Sequence, residues 1–260
     1  MAEFEMIVQL QAQIWGSLEE AVPAHMLLTL HKEGGIVLLM FDGDAPVGFA
    51  YGFLARTSDG RLKLASHQAG MLPPYQSRGM GTQLKLAQRK AALEHGLELI
   101  TWTFDPLQGR NARLNLHKLG AVCNTYLPNL YGNMTDALNK GLPSDRFRVD
   151  WWLASERVQA RIEGRWKSPE ATAVPLLNPP QIRADGWPIP PEPAPLPAGE
   201  PRWRVEFPTD LPQLKQAAPE LALAWRLHTR QIFEHAFAAG YTATDMLRHE
   251  GRNFYLLELS

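Results

Sequence analysis

Eleven prolines stand between Pro169 and Pro201, at positions 169, 175, 179, 180, 188, 190, 191, 193, 195, 197 and 201. Proline lacks a backbone N–H and holds φ near one value, so this stretch makes neither a helix nor a central strand. It reads as an extended, partly polyproline connector. Two arrangements fit it: a tether between two modules, or a strap laid over the first module. The boundaries drawn from it are a first domain over 1–155, a connector over 156–201 and a C-terminal extension over 202–260. No internal repeat accompanies them.

Composition narrows the class. The chain has 260 residues, 45% apolar and 20% charged, which suits an ordinary globular protein with a sizeable core. A formal net charge of −1 leaves no electrostatic footprint for nucleic acid. One cysteine, Cys123, allows no intrachain disulfide, so a reducing cytoplasm is the expected compartment. The first residues are acidic where a signal peptide is basic. No apolar run approaches the ~18 residues that span a bilayer.

The first part of the chain alternates between periods. Met6, Ile7, Leu10 and Ile14 follow a helical spacing, and Pro23 opens a second short helix. "IVLLMF", the turn "DGD" and "APVGFAYGFL" form a hairpin, because Asp-Gly between apolar runs is a strong turn signal. "RLKLASHQAGML" adds a third strand, the region from Thr82 to His95 a helix, and "LELITWTF" a fourth strand. A helix over Gln108–Gly120 and strands over Ala121–Tyr126 and Arg146–Leu153 complete the order ααβββαβαββ. The βαβ crossover at its centre predicts one parallel pair in an otherwise antiparallel sheet. After the connector, a strand over Arg202–Phe207, a long helix over Ala218–Gly240 and a strand over Asn253–Leu259 are expected to pack on the first module. The fold class is α/β, an α+β mixed sheet.

Between the third strand and its helix lies Gln76-Ser77-Arg78-Gly79-Met80-Gly81. Glycines here let the backbone turn tightly, and the unpaired N–H groups at the start of the next helix favour an anion such as a pyrophosphate. A dinucleotide fingerprint needs a third glycine where Leu84 stands, and a Walker loop needs Gly-Lys-Ser/Thr, which does not occur. The remaining pattern, with the element order, resembles the coenzyme-A loop of GNAT-type N-acyltransferases over roughly Glu5 to Leu153.

That resemblance implies two parallel strands splayed apart at the loop. It implies an acyl-CoA, acetyl- or succinyl-CoA, whose pantetheine pairs with the backbone of Gly70, Met71 and Leu72. The pyrophosphate contacts would fall on Arg78, Gly79, Met80, Gly81 and Thr82, with Gln76 and Ser77 at the rim. Asn111 and Asn115 would flank the thioester. Many members carry a tyrosine general acid two residues before the lysine of a closing "KLG"; here Leu116 stands there, before Lys118-Leu119-Gly120. Tyr126 and Tyr131 are the replacements nearest in sequence, each also readable as a packing tyrosine.

Acyl transfer to an amine also calls for a base. His67 lies on the strand leading into the loop, where relatives place a carboxylate, and a near-neutral pKa suits the task. Strict alternation puts it on one face with Ala65, Ala69 and Met71, barring a bulge; a structural histidine is the plainer alternative. Cys123 sits in an apolar strand and reads as packing. For the acceptor, Asp145 and Arg146 stand at a strand start, and Arg226 and Arg230 share a helix face with Glu234. The arginines read either as a solvated face with an Arg230–Glu234 pair or as a clamp for a carboxylate.

A closer likeness, carried by "WTFDPLQGRNARLNLHKLGAV" and the "WRLHTRQIF" tail, is to a group of long bacterial GNAT proteins. It implies transfer of an acetyl or succinyl group to a small-molecule amine such as an amino acid, with no metal, no nucleic acid and no membrane, and a homodimer as a possible state. A non-catalytic acyl-CoA-binding regulator or scaffold is the alternative.

Overall fold

A computed structural model describes residues 1–18, 21–76, 78–132, 141–192, 194–197 and 199–259. Its contacts divide into two units, residues 1–102 with 150–155 and residues 103–149 with 156–260.

The first unit opens with α1 (Ala2–Trp15) and α2 (Ala24–Lys32), followed by β1 (Ile36–Asp42), β2 (Ala45–Arg56) and β3 (Leu62–Met71). Helix α3 (Met80–Glu94) and β4 (Leu99–Phe104) come next, and β4 leaves the unit at Trp102. Strand β2 pairs antiparallel with both β1 and β3. Its sequence alternates small and aromatic, Gly48-Phe49-Ala50-Tyr51-Gly52-Phe53. Phe49 and Tyr51 therefore share one face and bury against Ile7 and Leu10 of α1 and Leu27 of α2, while Ala50 joins Met71 and Leu84 on the α3 side. The small face lets the neighbouring strand approach. A Cβ on Gly52 would stand 2.7 Å from the Ala65 carbonyl oxygen. Fully buried Gln11 closes the α1–α2 connection by accepting from the Val22 N–H at 2.9 Å and donating to its carbonyl at 3.2 Å.

The second unit holds α4 (Gly109–Ala112), which widens into a π-helical stretch (Arg113–Lys118), then β5 (Val122–Leu127), β6 (Arg146–Trp152) up to Val149, and α5 (Glu156–Ile162). The π register shows in the Leu119 N–H reaching back to the Leu114 carbonyl at 3.0 Å. The proline-rich stretch contributes a short 3-10 turn (Ala171–Ala173) and a two-residue ladder, β7 (Gln181–Ile182) with β8 (Pro188–Ile189). Beyond it stand β9 (Arg202–Phe207), α6 (Leu211–Ala217), α7 (Pro219–Ala238), β10 (Tyr241–His249) and β11 (Arg252–Leu259). The strands run in the order β6-β5-β10-β11-β9. Phe147 centres an aromatic core, 4.7 Å from Phe233 and 5.2 Å from Tyr255 between ring centres.

Two features of this unit go beyond the sequence expectation of strand, helix, strand. Strand β10 and helix α6 are additional elements. The proline stretch, moreover, covers the edge of β9 (Arg202–Phe207). Leu177 donates to the Arg204 carbonyl and Arg204 donates to Pro175, both at 2.9 Å. The Asn178 side chain exchanges two hydrogen bonds with the Glu206 backbone at 2.7 and 3.0 Å. An exposed edge would otherwise present a row of unpaired polar groups. Ala171 and Val174 bury beside Leu247, Phe254 and Leu256, so part of the connector belongs to this unit's core.

No helix among the described residues is long and apolar enough to cross a membrane, and no group of three or more potential metal-ligating side chains gathers among them.

Candidate functional site

The loop after β3 is built as a donor cradle. Gly79, at φ 82° and ψ −12°, takes the left-handed conformation and starts the fifteen-residue helix α3 without a side-chain cap. Thr82 and Gln83 N–H groups both donate to the Gly79 carbonyl, at 3.0 and 3.1 Å. The N–H groups of Arg78, Gly79, Met80 and Gly81 have no acceptor among the described residues. Consecutive free amides at a helix start, with its positive dipole end, suit a phosphate group. The Gln76 side chain stiffens the approach by donating to the Met71 carbonyl at 2.9 Å. Ser77 lies outside the described residues.

The strand before the loop has one open edge, and a bulge explains it. β3 and β4 pair in parallel at only two positions, Leu64 with Ile100 and Ala65 with Thr101. β3 then runs on to Met71. Against β2, Tyr51 pairs with Gln68 and Gly52 with Ser66, leaving His67 as the extra residue. A bulge bends its strand and sharpens the twist, and this one falls just past the last parallel pair.

The bulge also corrects the expected alternation. Ser66 shares the α3 face with Met71, since Ser66 contacts Lys85 and Gln88 while Met71 packs on Leu84. His67 does not share that face. Its ring lies beside Tyr51 and Phe53, at 5.7 and 6.0 Å, and Tyr51 belongs to the face covered by α1 and α2. Part of the His67 side chain is open to solvent, yet the desolvation imposed by these rings lowers its pKa below the usual histidine value.

The three backbone positions expected to pair with a ligand divide in two. Leu72 donates to the Val47 carbonyl at 3.0 Å, so by strand alternation Leu72 and Gly70 spend their backbone groups on β2. Met71, with Ala69, faces the open edge, but the Met71 carbonyl is already taken by the Gln76 side chain, which leaves its N–H for a ligand. Sequence reasoning passed over Ala69, and placing the bulge would have found it. Gly70 has a packing role instead: a Cβ there would meet Ile14 at 2.9 Å.

The remaining candidates lie in the second unit. Leu116 is fully buried. Asn111 is exposed and Asn115 buried on the widened helix. Tyr131 is 51% exposed, with its hydroxyl 2.9 Å from Thr103 Oγ1 and the Arg146 guanidinium 5.2 Å over its ring. Tyr126 is tied down, donating to Asp145 Oδ2 at 2.6 Å; burial, then the Asp145 charge, raises its pKa well above the ordinary range. Cys123 is buried.

The four acceptor candidates form a paired network. Asp145, fully buried, receives Arg230 through both Nε and Nη2, at 2.8 and 2.7 Å, and the Asn129 N–H at 2.9 Å. Burial alone would raise its pKa, but the bonds from Arg230, Tyr126 and Asn129 bring it below the usual carboxylate value. Arg226 donates to Asp105 Oδ2 at 2.6 Å, and Arg146 donates to the Asp145 carbonyl at 2.9 Å. Arg230 thus spends its fork on Asp145 and not on Glu234, and Arg226 holds Asp105. Neither the solvated face nor an empty carboxylate clamp describes the pair.

The element order, the parallel pair and its early end are those the GNAT resemblance implies. No family model and no curated protein matches the chain. Solved structures similar to it include an acetyltransferase of the GNAT family from Streptococcus pneumoniae, 16% identical over 57% of this chain and 93% of that one, with a TM-score of 0.47. Another is the ribosomal-protein-S18-alanine N-acetyltransferase from Escherichia coli, 13% identical over 60% and 92%, with a TM-score of 0.45. A third is Arabidopsis thaliana Naa50 in complex with the bisubstrate analogue CoA-Ac-MVNAL, 16% identical over 57% and 91%, with a TM-score of 0.46.

Proposed function

We propose that the protein is an acyl-CoA-dependent N-acyltransferase of the GNAT type, moving an acetyl or succinyl group to the primary amine of a small metabolite such as an amino acid. One observation carries this reading: four successive loop amides, Arg78 to Gly81, lack acceptors among the described residues at the end of a strand that has parted from its parallel neighbour. The left-handed Gly79 and the open β3 edge at Met71 fit the phosphates and the amide-bearing arm of coenzyme A.

When bound, acyl-CoA supplies a thioester whose carbonyl an amine attacks directly, and the departing thiolate needs a proton. In this reading the amides of Arg78, Gly79, Met80 and Gly81 hold the phosphates, with Thr82, its own N–H spent on Gly79, offering its hydroxyl, and the Met71 N–H orients the arm. His67, whose pKa desolvation lowers below the usual histidine value, takes the amine's proton. For the departing thiolate the sequence offers Tyr131, half-exposed and free of the Asp145 bond that holds Tyr126. Tyr126 serves Asp145 instead.

The buried Leu116, with both arginines already engaged, favours a second reading, a coenzyme-binding regulator without turnover. Calorimetry with acetyl-CoA and succinyl-CoA, followed by thiol release with a panel of amino acids, separates the two. Binding with release supports the enzyme, and binding without release for any amine supports the regulator. Absence of binding by both coenzymes overturns both.

A further inference from the structure

Where β3 and β4 part, one buried amine touches both strands. The next residues after the last parallel pair are Ser66 on β3 and Trp102 on β4. Lys85 of α3 places Nζ 3.3 Å from Ser66 Oγ, 2.6 Å from Gln88 Oε1 and 3.9 Å from the Trp102 ring centre. Lys85 is 4% exposed and Gln88 wholly buried.

The site is shaped for the protonated form. An ammonium has three N–H donors and no acceptor, and here it meets two oxygens and an aromatic face. The Ser66 hydroxyl is spent on the same Gln88 oxygen, at 3.1 Å. That oxygen must face the amine, which leaves Gln88 Nε2 buried without a partner among the described residues. A neutral amine presents a lone pair instead. Either it meets the negative face of Trp102, or the Ser66 hydroxyl turns from Gln88 to it while the two remaining N–H groups stay toward Gln88 and the ring; in both cases the cation–π attraction to β4 is lost.

The groups facing Nζ are Ser66 from β3, Gln88 from α3 itself, Trp102 from β4 and, at 5.8 Å, the ring of Trp151. None is ionisable, and no ion pair reaches Lys85 among the described residues. Burial without a counter-charge lowers its pKa to about 7.

We propose that Lys85 is a positioning residue for the acyl-CoA site: its ammonium ties β3 to β4 at the fork and so fixes where the β3 edge opens. The tie stands on the geometry of the fork, and its consequence for the coenzyme rests on the function proposed above. The tie is present at low pH and is lost as pH rises through neutrality, so acetyl-CoA affinity falls with it.

The test uses full-length protein labelled with ¹³C at lysine Cε and ¹⁵N in tryptophan, titrated by NMR from pH 6 to 9, with acetyl-CoA calorimetry at each pH. One lysine signal, absent in Lys85→Met, should titrate near pH 7. The indole signal removed by Trp102→Phe should follow the same midpoint. The Kd should rise roughly 5-fold or more across the range beyond any change in Lys85→Met, which carries the coenzyme's own ionisation. Lys85→Arg should lose the pH dependence. A Lys85 signal that does not titrate between pH 6 and 9, an indole signal that ignores it, or identical Kd profiles in wild type and Lys85→Met would each overturn the proposal. Should the variants fail to fold, the wild-type lysine and tryptophan titrations decide alone. If acetyl-CoA binds at no pH, the positioning role falls with the acyl-CoA reading, and a Trp102 signal that still follows Lys85 upholds the tie itself.

Discussion

The phosphate-type loop and the Asp145 network are both polar, and they are wired in opposite ways. Arg78 to Gly81 offer backbone donors that nothing in the described protein accepts. Asp145 receives Arg230 twice, Tyr126 once and the Asn129 amide once. An exposed unpaired donor row loses little in water and gains when an anion arrives. A buried carboxylate must be paired at all times, because its isolated charge is far too costly inside protein. In the proposed reading the contrast separates a surface kept for a ligand from a set of charges kept for the fold. Residue type alone does not separate them, since arginine suits either use.

The largest expected effect tests the saturated side. Asp145→Ala leaves Arg230 and Tyr126 without their shared acceptor. Losing that acceptor from the Tyr126 hydroxyl, the Asn129 amide and the part-exposed Arg230 costs about 3 kcal/mol, measurable by urea unfolding. Coenzyme affinity of the protein that remains folded should change little. A large loss of affinity with intact stability would reverse the roles given to the two regions.

Next comes acid sensitivity, carried by a second saturated carboxylate. Asp245 is fully buried, with His117 Nδ1 at 3.1 Å, Ser168 Oγ at 2.6 Å and Arg161 Nη1 at 3.3 Å. Burial opposes its charge, yet these partners bring its pKa down to about 2. A carboxylate whose folded pKa is depressed contributes stability above its unfolded value near 3.9 and loses it as pH falls toward 2. The contribution is about 2.5 kcal/mol. Asp245→Asn should therefore be less stable than wild type at pH 6, with the gap narrowing between pH 4 and 2. A gap constant over that range would show that Asp245 does not titrate as its partners require.

The open side is tested by Gly79→Val. At φ 82° a β-branched residue is strained, and the amides around it would turn from their common target. The coenzyme Kd should rise by at least ~10-fold, about 1.4 kcal/mol, while β3 and the core keep their stability to within about 1 kcal/mol. Unchanged affinity would show that the loop is only a turn.

Much of this was legible in the sequence, and what was not shares one physical cause. The Asp-Gly hairpin, the glycines before α3 and the helical spacing of α1 are short-range signals, fixed within a few residues. The bulge at His67 depends on the partner register of β2, which no residue on β3 announces. Strand β10 was unseen because its Asp245 looks like a loop residue until His117, Arg161 and Ser168 arrive from far along the chain. Lys85 follows Leu84 on α3 and reads as surface. Only Ser66, Gln88 and the tryptophans reveal it as buried. In the proline stretch the prolines themselves were plain, but the pairing of Leu177 and Asn178 with β9 needed the edge strand to be in place.

The smallest expected effect is the sharpest divider of the two regions. Arg230→Lys keeps the charge beside Asp145 but replaces a planar fork with a single point of contact. One of two hydrogen bonds is lost from a pair that is itself partly exposed on the arginine side, at 24%. If Arg230 serves the fold, stability falls by about 1 kcal/mol, and the KM for acidic and neutral amine acceptors changes alike or not at all. If Arg230 exchanges Asp145 for an acceptor's carboxylate, the KM for acidic acceptors rises selectively while stability stays put. The geometry favours the first outcome, because Asp145 already fills both ends of the fork and lies wholly out of reach of water. An incoming carboxylate would have to leave that buried charge behind without its partner.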